Sequence, residues 1–138
     1  MADVVPVGAS VTVKTLNRRP TVATGGATLT AGQFVYLDTS ASRYKGAVNS
    51  SQAAAKCAGV LTDPTVDGEA AAFYGQDATV VDLGATLTEG TWYCISSTAG
   101  NIHPYADLAS TEWLSWVGYG NSDGDLVMYI INTETQKS

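Results

Sequence analysis

Hydrophobic positions along the chain occur in short runs that are separated by single glycines and polar turn residues. Residues 34–37, 57–61 and 126–131 are such runs, and Thr and Val are abundant while the long helix formers are scarce. Short β-branched runs between turn signals are typical of strands. Only residues 50–56 and 105–110 could hold a helical turn. The pattern predicts a small single all-β domain of short strands, barrel- or sandwich-like, with at most one or two short helices.

The chain contains an internal repeat. Residues 26–32, GATLTAG, recur at 84–90 as GATLTEG, and in both copies a run of apolar residues follows. Each copy therefore predicts a turn that leads into a strand. We predict two similar β units, residues 26–83 and 84–131, which share one core within a β-rich domain that spans 26–138. Two copies are too few for a solenoid.

Two acidic clusters occupy corresponding places in the two units. They are Asp63, Asp67 and Glu69, and Asn121, Asp123 and Asp125. Oxygen ligands at alternate positions would suit calcium, but neither cluster has the spacing of a known calcium loop. Both clusters include an Asp-Gly pair, which is a strong hairpin signal. A turn is therefore favoured over a metal site, and we predict no metal.

Residues 1–25 precede the repeat and have a different character. From Val11 to Leu16 apolar and polar residues alternate, which suits an exposed or edge strand. Arg18, Arg19 and Pro20 then interrupt the strand pattern. We predict an extended N-terminal arm over residues 1–25.

Length and charge exclude several classes of protein. With 138 residues the chain is long enough for one domain with a core. It has no apolar stretch long enough for a membrane helix, and its first residues lack the pattern of a signal peptide. A net charge of −6 and a pI near 4.4 argue against nucleic acid as the principal partner. We expect neither a nucleic-acid nor a membrane partner.

The charge is unevenly divided along the chain. Residues 1–58 contain six basic and two acidic residues, whereas residues 59–138 contain one basic and eleven acidic residues. The two parts therefore carry +4 and −10. Such asymmetry favours head-to-tail contacts between copies or docking of the basic part on an acidic surface. An ordinary solvated surface explains it equally well.

Few residues could support catalysis. His103 is the single histidine, and no nucleophile motif accompanies it, so we predict a loop residue. Cys57 and Cys94 are too few for a disulfide framework, and we expect free thiols. The sequence predicts a protein that is not an enzyme and has no cofactor.

Aromatic residues cluster near the C-terminal end. At the strand period, Trp113 and Tyr119 would face one side of a strand and Trp116 the other. Exposed, they could stack on sugar rings; buried, they would fill a core or a subunit interface. Because apolar residues lie between them, a core or interface is favoured. Residues 126–131 are apolar on both faces, which suggests subunit packing as well.

The order of several short motifs resembles a known family. TAGQFVYL at 30–37 is followed by AGVL at 58–61, and then LTEGTWY, AGNIHP and WVGYG follow at 87–93, 99–104 and 116–120. Over residues 26–131 this order resembles the head decoration proteins of tailed bacteriophages, which are also called capsid cement proteins.

This resemblance implies a virion structural protein with no enzymatic activity. It would be made in the host cytoplasm and bind the outer surface of the mature capsid as homotrimers, stabilising the shell. Its partners would be the major capsid protein and further copies of itself, and the N-terminal arm would become ordered there. The residues that we expect to contact the capsid or a neighbouring subunit are Val11, Val13, Lys14, Arg18, Arg19, Trp113 and Trp116.

A second interpretation remains open. The chain could be a glycan-binding module of a phage head fibre or tail protein, in which Trp113, Trp116 and Tyr119 stack on sugar rings.

Overall fold

The computed structural model describes residues 3–138, and these form two antiparallel sheets. The strands of the larger sheet are β1 (Thr12–Val13), β7 (Val80–Asp82), β8 (Trp92–Ile95), β9 (Ile102–Pro104), β10 (Trp113–Gly120) and β11 (Leu126–Gln136). Those of the smaller sheet are β2 (Thr21–Thr24), β3 (Phe34–Asp38), β4 (Arg43–Gly46), β5 (Cys57–Leu61) and β6 (Ala70–Tyr74). Single 3-10 turns lie at Gly8–Ser10 and Tyr105–Asp107. The predicted all-β domain is confirmed, and it is sandwich-like.

The internal repeat is visible in the strand order. The smaller sheet has the order β2-β6-β5-β3-β4, and the larger has β1-β7-β11-β10-β8-β9, so each strand of the first unit has a counterpart in the second. The Gly32 N–H donates to the Leu61 carbonyl at 2.8 Å, and the Gly90 N–H donates to the Gly120 carbonyl at 2.9 Å. Since β2 corresponds to β7, the structural equivalence begins upstream of residue 26.

The predicted hairpin turns are present in both units. Gly68 and Gly124 follow an aspartate and have φ values of +88° and +80°, which glycine adopts without strain. Asn121 accepts hydrogen bonds from the N–H groups of Asp123 and Asp125 through its side-chain oxygen, both at 3.0 Å. These contacts support the interpretation of the acidic clusters as turns.

The main hydrophobic core lies between the two sheets. Phe34 and Val60 of the smaller sheet are fully buried in the same cluster as Tyr93 and Met128 of the larger one. A second cluster lies on the other face of the smaller sheet and includes Leu29, Val35, Leu61, Ala71 and Phe73. The smaller sheet curls around this second cluster, because the Gly26 N–H donates to the Tyr44 carbonyl at 2.7 Å.

The described part of residues 1–25 lies against the rest of the chain. Val4 donates to the carbonyl of Ile102 in β9 at 2.8 Å, β1 pairs with β7, and β2 pairs with β6. Val11 and Val13 are half-buried and pack against the main core. Residues 3–25 therefore supply an edge strand to each sheet. Met1 and Ala2 lie outside the described residues.

Candidate functional site: an aromatic face on the larger sheet

The outward face of the larger sheet carries a group of aromatic side chains. Their ring centroids are 5.9 Å apart for Trp92 and Trp116, 5.2 Å for Trp92 and Tyr119, and 4.9 Å for Tyr105 and Trp116. Tyr129 stacks on Tyr119 at 6.1 Å. Together with Ile131, which lines the same surface, these residues are called the aromatic face.

A bulge in β10 brings Trp116 and Tyr119 to the same side. Trp116 is paired with Cys94, whereas Gly118 is paired with Tyr93, so β10 has one extra residue at this point. An extra residue reverses the alternation of side chains along a strand. The prediction that Trp116 and Tyr119 face opposite sides is therefore wrong, because it assumed an unbroken strand.

The aromatic face is open to solvent and apolar. Trp92 is 40% exposed, Tyr105 38% and Ile131 51%. They border a shallow cavity of about 520 Å³, and no charged side chain of the described residues lines it. The Lys137 ammonium lies 4.8 Å from the Tyr105 ring centroid, which is a cation–π contact. Such a surface suits an apolar partner.

Trp113 lies apart from this ring cluster. It is half-buried at the start of β10, where its backbone N–H donates to the Asn49 carbonyl at 3.0 Å. Sequence reasoning missed Trp92 and Tyr105, and it included Tyr129 and Ile131 only within the run 126–131 that is apolar on both faces. The alternation of β11 could have placed Tyr129 and Ile131 on one side, since they are two positions apart.

The predicted basic contact residues lie near β7. Lys14 forms an ion pair with Asp125 at 2.7 Å, and the Asp125 side chain is only 4% exposed. This hydrogen bond raises the pKa of Lys14 above its ordinary value. Arg18 donates to the Thr79 hydroxyl at 3.2 Å, whereas Arg19 is exposed. Among the described residues, Arg19 is therefore the predicted cation that is exposed and has no side-chain hydrogen bond or ion pair.

His103 lies in β9 and not in a loop, so that prediction is wrong. It is 2% exposed, and its Nδ1 is 3.6 Å from the Cys94 sulfur and 3.1 Å from the Pro104 carbonyl oxygen. Cys57 and Cys94 are free, as predicted, and both are buried. Burial raises the pKa of each thiol to about 12, so neither is an activated nucleophile at neutral pH.

Within residues 3–138, no group of three or more His, Cys, Asp or Glu side chains is arranged to hold a metal ion. Over the same range, no helix has the length and apolarity needed to cross a membrane. Comparison of the chain with known protein families, with curated proteins and with solved structures finds no match.

Proposed function

We propose that this protein is a capsid decoration protein, which binds the outer surface of a mature phage capsid as trimers and stabilises the shell. The observation that carries this proposal is the exposed aromatic face. Contiguous apolar patches on soluble domains mark interaction surfaces, and Trp and Tyr dominate binding energies at such surfaces. A protein that holds other proteins together needs such a surface and no catalytic group.

A second surface supports an adhesive role. β2 forms an outer edge of the smaller sheet as far as Thr24, after which Gly25 and Gly26 join β4, and Val22 within it is 66% exposed. An edge strand can pair with a strand of another protein. Arg19, two residues before β2, is exposed and can attract an acidic capsid surface. In this proposal β2 and Arg19 contact the major capsid protein.

The test is co-sedimentation of the purified protein with expanded capsids that lack it. We expect saturable binding at a fixed copy number per site that is a multiple of three. Arg19→Glu should weaken binding, whereas Lys56→Glu, a charge reversal at another exposed basic residue, should not. No binding at micromolar concentration overturns the proposal.

Glycan binding is the second candidate, and the exposed rings around the cavity favour it. Trp92, Tyr105 and Trp116 could stack on a sugar. Against it, the lining contains no charged side chain to fix the hydroxyl groups of a sugar. Titration with host polysaccharide tests this function through Trp fluorescence, and no response at millimolar sugar removes it.

A further inference from the structure

The aromatic face belongs to the second unit, and the corresponding surface of the first unit is buried within the chain. A constant offset of 58 positions relates residues 26–47 to 84–105. Phe34 and Ala47 therefore correspond to Trp92 and Tyr105. Phe34 and Ala47 are fully buried in the main core, whereas Trp92 and Tyr105 are 40% and 38% exposed.

Strand register extends this correspondence to β5 and β10. Phe34 is paired with Val60 in the first unit, and Trp92 is paired with Tyr119 in the second. Val60 is fully buried, and Tyr119 is half-exposed. In the first unit this surface packs against the second unit. In the second unit the corresponding surface is largely uncovered by residues 3–138.

The cover in the first unit includes the loop between β8 and β9. The Phe34 N–H donates to the Gly100 carbonyl, and the Gly100 N–H donates to the Ala47 carbonyl, both at 2.8 Å. A Cβ added to Gly46 would lie 3.3 Å from the Ala99 Cβ, so the loop packs closely. Ala99 and Gly100, at the end of the 97–100 loop, thus lie directly against the surface formed by Phe34 and Ala47.

The first unit has an equivalent loop, residues 39–42, and every residue in it is exposed. Its conformation matches that of the covering loop. The Ser40 N–H donates to the Asp38 carboxylate at 3.0 Å, and the Thr98 N–H donates to the Ser96 hydroxyl at the same distance. Ser42 has a φ of +54°, and its counterpart Gly100 has +85°.

We propose that the aromatic face of one copy binds the 39–42 loop of a second copy, which repeats the contact between the two units of one chain. The contact is heterologous: each copy contributes its aromatic face to one neighbour and its loop to another. Heterologous contacts close into rings when the rotation allows it. Three copies in such a ring give the trimer of the proposed function. The inference and the proposed function have only this self-association in common.

Charge opposes the simpler arrangement in which two aromatic faces pair about a two-fold axis. The charged residues of 84–131 are all acidic: Glu89, Asp107, Glu112, Asp123 and Asp125. Pairing this unit with itself puts these acidic residues on both sides of the contact, and it also brings together the two Lys137 ammonium groups that lie on Tyr105 of each face. The 39–42 loop is instead followed by Arg43 and Lys45, each of which is paired with a carboxylate at 2.7 Å, so this loop brings no net negative charge to the contact.

Sedimentation velocity of three variants tests the contact. Tyr105→Glu alters the aromatic face, Ala41→Glu alters the loop, and Ala53→Glu is a matched change at an exposed alanine in another loop. We expect the wild type and Ala53→Glu to self-associate equally. Each of the other two variants should raise the dissociation constant by at least about tenfold. Circular dichroism establishes that all three are folded.

Mixing the two defective variants distinguishes heterologous from two-fold contact. The Ala41→Glu protein keeps an intact aromatic face and the Tyr105→Glu protein keeps an intact loop, so the mixture should form 1:1 dimers that neither forms alone. Three results overturn the inference. They are a mixture that stays monomeric, an Ala41→Glu protein that associates like the wild type, and a wild type that is monomeric up to about 1 mM. If the protein is monomeric in solution but still binds capsids, only the inference about self-association fails. If it forms rings that bind no capsids, only the proposed function fails.

Discussion

At the scale of single residues, Gly118 makes the bulge in β10 possible. It has a φ of +142°, and a Cβ there would run into the carbonyl oxygen of Val127 in the neighbouring strand. Both the conformation and the close approach therefore require a residue without a side chain. Because this bulge places Trp116 beside Trp92, the geometry of the aromatic face depends on Gly118.

Replacing Gly118 by alanine should cost far more stability than the same change at Gly90. We expect Gly118→Ala to lower the free energy of unfolding by about 3 kcal/mol or more, because both strain and overlap are introduced. Gly90 has a φ of +78° but no atom within 4 Å of an added Cβ, so only conformational strain remains. Gly90→Ala should cost about 1 kcal/mol. Urea unfolding measures both, and equal losses would contradict the steric role of the Val127 carbonyl.

Asp38 makes stability depend on pH. Hydrogen bonds from Lys45 and then from Ser40 lower the pKa of its carboxyl from 3.8 to about 2. Since the unfolded chain takes up this proton first, the stabilisation is complete above about pH 4 and is lost as the pH falls towards 2. We expect Asp38→Asn to be less stable than the wild type at neutral pH and to lose less stability between pH 4 and pH 2.

Denaturant midpoints measured at several pH values test this expectation. Asp63→Asn, a change at an exposed aspartate, is the control, and its profile should follow that of the wild type. If Asp38→Asn loses as much stability as the wild type over this range, the carboxylate of Asp38 is not responsible.

At the scale of elements, one ion pair connects β1 to the turn before β11. Lys14 follows β1, and its ammonium lies 2.7 Å from the buried carboxylate of Asp125. Lys14→Met leaves that carboxylate without its cation, which is destabilising for a buried charge. We expect a lower denaturation midpoint and faster proteolysis within residues 3–14.

The matched control for this prediction is Lys56→Met. Lys56 is paired with Glu134 at 3.1 Å, but their side chains are 53% and 49% exposed. Exposed pairs contribute only about 0–1 kcal/mol, so little change is expected. If Lys56→Met lowered the stability as much as Lys14→Met, burial of the carboxylate would not be what makes the Lys14 ion pair important.

The local sequence pattern predicted most of the strands and turns, but not the side of the sheet on which each side chain lies. Short apolar runs and Asp-Gly turns are properties of a few neighbouring residues, so the strands β3, β5 and β11 and the turns at Gly68 and Gly124 follow from them. Which side Trp116 takes depends on its pairing with a strand about twenty residues away. The bulge that decides it has no local signal apart from Gly118.

At the scale of the whole molecule, the main core joins both units. Phe34 lies in it with Tyr93 and Met128 of the other sheet. The two units should therefore unfold as one cooperative system, and neither should be stable alone.

Phe34→Ala tests this coupling, because each unit carries its own probe. All three tryptophans lie in the second unit, and in a Cys94→Ala background the buried thiol of Cys57 reports on the first unit alone. We expect a loss of about 3–5 kcal/mol, with the transitions seen by Trp fluorescence and by thiol labelling shifted equally. Leu37→Ala, at a 43% exposed position in the same strand, should cost much less. A shift confined to the thiol transition would show that the units unfold independently.

The sequence alone predicted the all-β class, the hairpin turns and two related units, because strand period and turn residues are properties of neighbouring positions and a repeat is read by comparing two stretches of the same sequence. Only the tertiary structure decided which copy of the repeated surface is covered. Phe34 and Trp92 occupy the same place in their units, yet one is buried and the other exposed. The difference arises because the first unit packs on the second, whereas no strand within residues 3–138 packs on the corresponding surface of the second unit.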